Sequence, residues 1–192
     1  ERYKMQPYPK HTRIHFLYLG RIMKEKGIDE LFYAVRRLKN ENENFVLDLV
    51  GFFEDEYKEQ VKELEKHSIA HFYGFQSDPR PFYIEADCVV LPSYHEGMSN
   101  VLLEAAATGR PVITSNIPGC RESVENGKSG LLVEVKNKEM LYDAMKEMLH
   151  CSREEREQMG QAGREKMESE FRKEVVVEKT VQSLREDEKR DF

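Results

Sequence analysis

The chain predicts a doubly wound (Rossmann-like) α/β domain, a parallel sheet covered by helices on both faces. Three observations predict it. Short apolar runs such as Ile14–Leu19, Phe45–Val50 and Cys88–Leu91 recur along the chain. Segments with helical apolar spacing lie between them, and several runs end in polar, glycine-bearing loops. Strands that read as continuous apolar stretches are those buried on both faces, and their alternation with helices specifies a parallel sheet.

The elements follow in order. Ile14–Leu19 reads as a strand, and residues 27–39 as a helix with Ile28, Leu31, Phe32, Val35 and Leu38 on one face. Phe45–Val50 is the second strand, followed by a charged amphipathic helix over residues 55–66. Residues 69–73 form a short strand, and residues 81–85 a short helix leading into the strand Cys88–Leu91. A helix over residues 99–108 is stopped by Gly109-Arg110-Pro111. Residues 112–114 are the next strand, 116–119 a turn, and Gly130–Val133 the final strand after Asn126-Gly127. From Asn137 the chain is helical, with Met140, Leu141, Ala144, Met145 and Met148 as a core-facing stripe. A further helix over 168–185 carries Phe171, Val175, Val176, Val177, Val181 and Leu184. That stripe faces either the domain or a surface outside this chain, and residues 186–192 are expected to fray. Residues 1–150 are thus expected to be one ligand-binding domain and 151–192 a helical extension packing on it.

At 192 residues, 39% hydrophobic and 34% charged, the chain has enough apolar content to bury a core beneath a charged surface. No apolar run approaches the roughly 20 residues that cross a bilayer, and no signal-peptide core is present. The opening Glu1-Arg2-Tyr3-Lys4-Met5 does not read as a natural start, so a fragment is expected. A net charge of −6 argues against a nucleic-acid partner. The three cysteines, Cys88, Cys120 and Cys151, are widely spaced and fit a reducing cytoplasm better than a disulfide or zinc framework. Cys88 reads as buried packing. Cys120, after Pro118-Gly119, reads either as packing or as a partly exposed thiol, with packing the better account.

The most informative stretch is His95-Glu96-Gly97-Met98-Ser99-Asn100-Val101-Leu102-Leu103-Glu104, entered from the strand Cys88–Leu91. Strand, polar glycine loop and helix present free N–H groups and a positive dipole end to an anion. The carboxylates beside it suit hydroxyls attached to that anion, as on a sugar nucleotide. On a single helix, Glu96 and Glu104 would lie about 12 Å apart, against the roughly 5 to 9.5 Å of a hydrolase carboxylate pair. The spacing favours binding. Gly20-Arg21 and Lys26-Gly27 place two cations after the first strand, where ligands bind in doubly wound folds. A guanidinium fork and a mobile ammonium together suit a diphosphate. No two histidines stand four apart on a helix, so no metal site is expected. His95 is nearest the loop, and a structural role suits it better than a ligand contact. Ser93 lacks the glycine elbow of a hydrolase nucleophile.

These motifs, in this order, resemble the retaining glycosyltransferases of family 4. The resemblance rests on Gly20-Arg21 and Lys26-Gly27, Phe72-Tyr73-Gly74-Phe75, Ala86-Asp87-Cys88-Val89-Val90-Leu91-Pro92-Ser93, Glu96-Gly97-Met98-Ser99-Asn100 with Glu104-Ala105, Gly109-Arg110-Pro111-Val112, and Asn126-Gly127 with Gly130-Leu131-Leu132-Val133. It covers about residues 12–150 and falls in the C-terminal, donor-binding half of the two-domain GT-B architecture, as in capsular and surface-polysaccharide hexosyltransferases.

The resemblance implies that Gly20, Arg21 and Lys26 meet the donor diphosphate. It implies that Glu96 binds hydroxyls of the transferred sugar and Glu104 the nucleotide ribose. Gly97, Met98 and Ser99, with Asn100 and Val101 beyond, form the loop and helix start facing sugar and phosphate. Gly74, Phe75 and Gln76, within residues 74–77, form the base loop. Arg21, Lys26 and Glu96 would carry the catalysis, with no metal and no cofactor beyond the donor, a UDP-sugar being slightly preferred. Transfer of a hexosyl group with retention, to a saccharide or lipid-linked acceptor, would need the N-terminal acceptor domain that this chain lacks. The fragment alone is expected to transfer nothing. The expected place is cytoplasmic, peripheral at the inner face of a membrane. Two rival classes are a GT-B sugar-nucleotide epimerase and a non-catalytic nucleotide-binding module.

Overall fold

The computed structural model describes residues 3–188, of which 179 and 182–188 are described by their backbone alone. In chain order it comprises β1 (Ile14–Leu19), α1 (Ile28–Asn40), β2 (Phe45–Val50), α2 (Lys58–Lys66), β3 (Ala70–Gly74), α3 (Arg80–Glu85), β4 (Cys88–Leu91), α4 (Asn100–Thr108), β5 (Val112–Ser115), β6 (Gly130–Val133), α5 (Lys138–His150), α6 (Arg153–Glu170) and α7 (Lys173–Glu188). The strands form one six-stranded sheet in the order β3-β2-β1-β4-β5-β6, parallel throughout. The order reverses between β1 and β4, which opens a crevice at their carboxyl ends.

Burial follows the sequence pattern. Ile28, Leu31, Phe32, Ala34, Val35 and Leu38 seat α1 on the core, and α5 packs beside it with Leu141, Met145 and Met148 buried. α6 opens with a capping box in which Ser152 and Glu155 satisfy each other's backbone N–H groups, and it lies against α4. Arg110, expected only as part of a helix stop, is fully buried. Its guanidinium donates to the carbonyls of Tyr83 (2.8 Å), Ile84 (2.9 Å) and Pro7 (2.9 Å), tying the N-terminal segment to α3.

Several expectations are corrected. The strands are not wholly apolar: His15 of β1, Asp48 of β2 and His71 of β3 lie on neighbouring strands, and Asp48 is buried. α2 begins at Lys58 rather than residue 55, because the preceding residues serve the β1 loop. Asp55 accepts from the Lys24 N–H (2.8 Å), and the Tyr57 hydroxyl donates to Asp29 (2.9 Å). The single helix expected over 168–185 is two, α6 ending at Glu170 and α7 starting at Lys173. Between them Phe171 lines a cavity with Leu103 and Ala107 of α4 and Met167 of α6. On α7, Val176, Val177 and Val181 are exposed. Of the tail expected to fray, 186–188 complete α7 and 189–192 lie outside the described residues. Cys120 is fully buried, and burial pushes its thiol up to about 11, so the exposed-thiol alternative is overturned.

Candidate functional site

Two loops meet across the point where the strand order reverses. After β1 the chain makes a short 3-10 turn, Lys24–Lys26, and enters α1 through Gly27 at φ 71°. A β-carbon at Gly27 would sit 2.2 Å from the Pro92 carbonyl oxygen, so only glycine lets this loop press against the end of β4. The Tyr94 N–H then donates to the Glu25 carbonyl at 2.8 Å, and its hydroxyl reaches the Glu30 carboxylate at 2.8 Å. Within this contact the Lys26 ammonium donates to Glu96 Oε1 at 2.6 Å. The two side chains are 16% and 15% exposed, so the pair is shielded yet open to the crevice. The buried Ser93 hydroxyl donates to the same oxygen at 2.8 Å.

Glu96 lies ahead of α4, not on it, so the two carboxylates do not share a helix. Glu104 is on α4 and accepts the Tyr83 hydroxyl from α3 at 3.0 Å. Burial, then the Glu104 charge, drives the Tyr83 phenol well above its ordinary range, so it stays a donor. Arg21 is half-exposed and pairs with Glu54 at 2.8 Å, while its carbonyl accepts the buried Tyr18 hydroxyl at 2.5 Å. Gly20 continues the β1–β2 ladder, donating to the Val50 carbonyl at 2.9 Å.

The loop before α4 is braced from the side. Gly119, at φ 86°, packs so closely that an added β-carbon would lie 1.6 Å from the Gly97 carbonyl oxygen. Its own carbonyl accepts the Ser99 N–H at 3.0 Å. The Ser99 amide is therefore already committed to the neighbouring loop. Ser99 is the N-cap of α4, and its side chain makes no capping bond. The first bond into the helix is Leu103 N–H to the Ser99 carbonyl, 3.2 Å. The N–H groups of Asn100, Val101 and Leu102 precede it, and they carry the positive end of the helix. Met98 is exposed beside them.

The remaining predicted residues stand apart from the Lys26–Glu96 contact. Phe75 is 71% exposed, with its ring centroid 6.4 Å from that of exposed Phe52. The Gln76 side chain turns back to the Tyr73 carbonyl at 2.7 Å, and His95 is exposed. Sequence reasoning missed Glu54, Tyr83 and Gly119, which reach their partners through long-range folding. It read Ser93 only as a failed nucleophile, although the Ser-x-x-Glu spacing of Ser93 and Glu96 was a usable signal. Among the described residues no group of three or more His, Cys, Asp or Glu side chains is arranged to hold a metal ion. No described helix is long and apolar enough to cross a membrane.

A six-stranded parallel, doubly wound sheet of this kind is the fold of GT-B glycosyltransferase domains, and solved structures of that class share it. The chain belongs to the glycosyl transferases group 1 family, whose profile matches residues 1–166. It is 30% identical over 164 residues to the capsular polysaccharide biosynthesis glycosyltransferase CapM of Staphylococcus aureus, covering 84% of this chain and 43% of CapM. The C-terminal domain of the group 1 family protein LpcC from Francisella tularensis superposes with a TM-score of 0.70 at 26% identity, covering 83% of this chain and 87% of that one. Anabaena HepE, solved in complex with UDP-glucose, shares the fold with a TM-score of 0.73 at 20% identity, over 91% of this chain and 49% of HepE. The chain spans less than half the length of the first curated relatives it matches, 43% to 48%.

Proposed function

We propose that this chain is the donor-binding half of a hexosyltransferase that uses a nucleotide-diphosphate sugar. The observation that carries this reading is the Lys26–Glu96 contact across the β1/β4 reversal, 2.6 Å long and beside the first turn of α4. It joins a cation and a carboxylate in the loops ahead of α1 and α4, and such groups suit a diphosphate joined to a sugar.

Arg21, Lys26 and the start of α4 would bind the diphosphate and stabilise the charge that builds on it as the sugar departs. That arrangement lets the chain neutralise the leaving group without a metal. Glu96 would accept hydroxyls of the transferred sugar, and Glu104, held by Tyr83, those of the ribose. Residues 74–77 would meet the base through main chain. UDP is the nucleotide to try first, since a fold neighbour, HepE, was solved with UDP-glucose. The similarity to CapM supports a saccharide or lipid-linked acceptor in surface-polysaccharide assembly, at the cytoplasmic face of a membrane. Transfer would proceed with retention of anomeric configuration, as the motif resemblance implies. The acceptor would be held by an N-terminal domain, because donor and acceptor must be fixed together for reaction. The donor half alone would bind and not transfer.

The test is calorimetry on wild type, Glu96→Ala and Glu104→Ala with UDP and UDP-glucose. Glu104→Ala should weaken both ligands, by about tenfold for loss of a charged hydrogen bond near 1.4 kcal/mol. Glu96→Ala should weaken UDP-glucose while UDP binds nearly as before. Equal losses for both ligands in both variants would contradict the division of roles.

A further inference from the structure

We propose that Ser93 is a positioning residue that aims the Glu96 carboxylate at the donor sugar, an inference that rests on the donor-domain reading above. Ser93 is fully buried at the carboxyl end of β4. Its hydroxyl and the Lys26 ammonium both donate to Glu96 Oε1, at 2.8 and 2.6 Å. One oxygen thus takes both donors. Oε2 has no hydrogen-bond partner among the described residues, although a carboxylate oxygen keeps two acceptor sites. With the Glu96 side chain 15% exposed, a ligand hydroxyl can reach it.

The two donors are not equivalent. Lys26 is a point charge on a flexible stem, and a diphosphate arriving in the crevice competes with Glu96 for it. Ser93 is neutral and buried, and no anion draws it away. Its turn is also fixed from outside, because the intervening Tyr94 is bonded through its N–H to Glu25 (2.8 Å) and through its hydroxyl to Glu30 (2.8 Å). Ser93 therefore keeps Glu96 in place when Lys26 turns to phosphate. Without it, the carboxylate loses its fixed anchor at the step in which its direction matters.

The experiment titrates UDP and UDP-glucose, and the GDP and ADP pairs, into wild type, Ser93→Ala and Ser93→Thr, with melting as the fold check. For the pair that wild type prefers, Ser93→Ala should bind the nucleotide as wild type does and its glucose conjugate about tenfold more weakly. Ser93→Thr, which keeps the hydroxyl, should restore the wild-type affinity for the conjugate, a rescue that a role in packing alone does not give. Unchanged conjugate affinity in Ser93→Ala, or equal loss of nucleotide and conjugate, would overturn the proposal while leaving the donor reading standing. A wild type that binds none of the ligands would overturn the donor reading itself. One that binds nucleotide and conjugate alike would overturn the Glu96 assignment beneath the proposal.

Discussion

At the scale of single residues, the site is built from contacts whose cost depends on what surrounds them. The Lys26–Glu96 pair is largely shielded, and a buried pair returns little net stability while leaving a heavy penalty if one partner is removed. The Arg21–Glu54 pair is nearly half exposed on both sides and contributes at most about 1 kcal/mol. Neither pair explains the fold. Both place cations in the loop that follows β1. Gly119 differs, because its backbone must be left-handed and its neighbour leaves no room. Gly119→Ala should cost at least about 1–3 kcal/mol from the backbone alone, with displacement of the Glu96–Gly97 loop added. A thermal melt of that variant within a degree of wild type would contradict this. Arg21, Lys26, Glu96 and Glu104 stand out as candidates in the sequence because each sits in a short local motif. Glu54, Tyr83 and Gly119 were not, since their partners lie 33, 21 and about 20 positions away.

At the scale of elements, the apolar strands declared themselves and the ends of helices did not. β1, β2, β4 and β6 begin and end where the apolar runs do. The start of α2 is displaced by Asp55 and Tyr57 turning to the β1 loop, and the α6/α7 break has neither proline nor glycine to mark it. The polar exceptions inside the sheet carry a testable consequence. His15 Nδ1 lies 2.7 Å from Asp48 Oδ2 across β1 and β2, and this hydrogen bond raises the His15 pKa against the opposing effect of burial. Asp87 adds a raising charge and Arg13 a lowering one, while the tilted His11 ring lies 4.4 Å away and His71 stands 3.9 Å from Asp48 Oδ1. A histidine with a raised folded pKa adds stability that is complete below its unfolded value, about 6.5, and is lost as pH rises through the folded pKa. The stability advantage of wild type over His15→Gln should therefore shrink from pH 6 towards pH 8. Denaturant titrations across that range measure it, and an advantage that grows with pH would show the linkage to be of opposite sign.

At the scale of the whole molecule, the chain has a core that runs from the α1/α5 layer through the sheet to α3, α4 and α6. Arg110 and the segment it anchors close one side of it. The net charge of −6 is no obstacle to an anionic ligand, because Arg21, Lys26 and the start of α4 gather at one edge of the sheet. This much was legible from the alternation of strands and helices. What the alternation could not carry was how loops after β1, β4 and β5 interlock, since that depends on glycine contacts and on carbonyls that accept across the crevice. If the crevice is a donor site, occupancy must stabilise the entire folded chain, because a ligand bound only by the native state adds its binding energy to unfolding.

The most direct measurement is the melting temperature of this chain with UDP, GDP and ADP, and with their glucose conjugates, at millimolar concentration. At about 100 times the dissociation constant, one of these should add about 2.7 kcal/mol, which is about 5–10 °C for a domain of this size. The gain should be reduced in Arg21→Ala and in Lys26→Ala. A melt that stays flat across all three nucleotides and their conjugates would contradict the account.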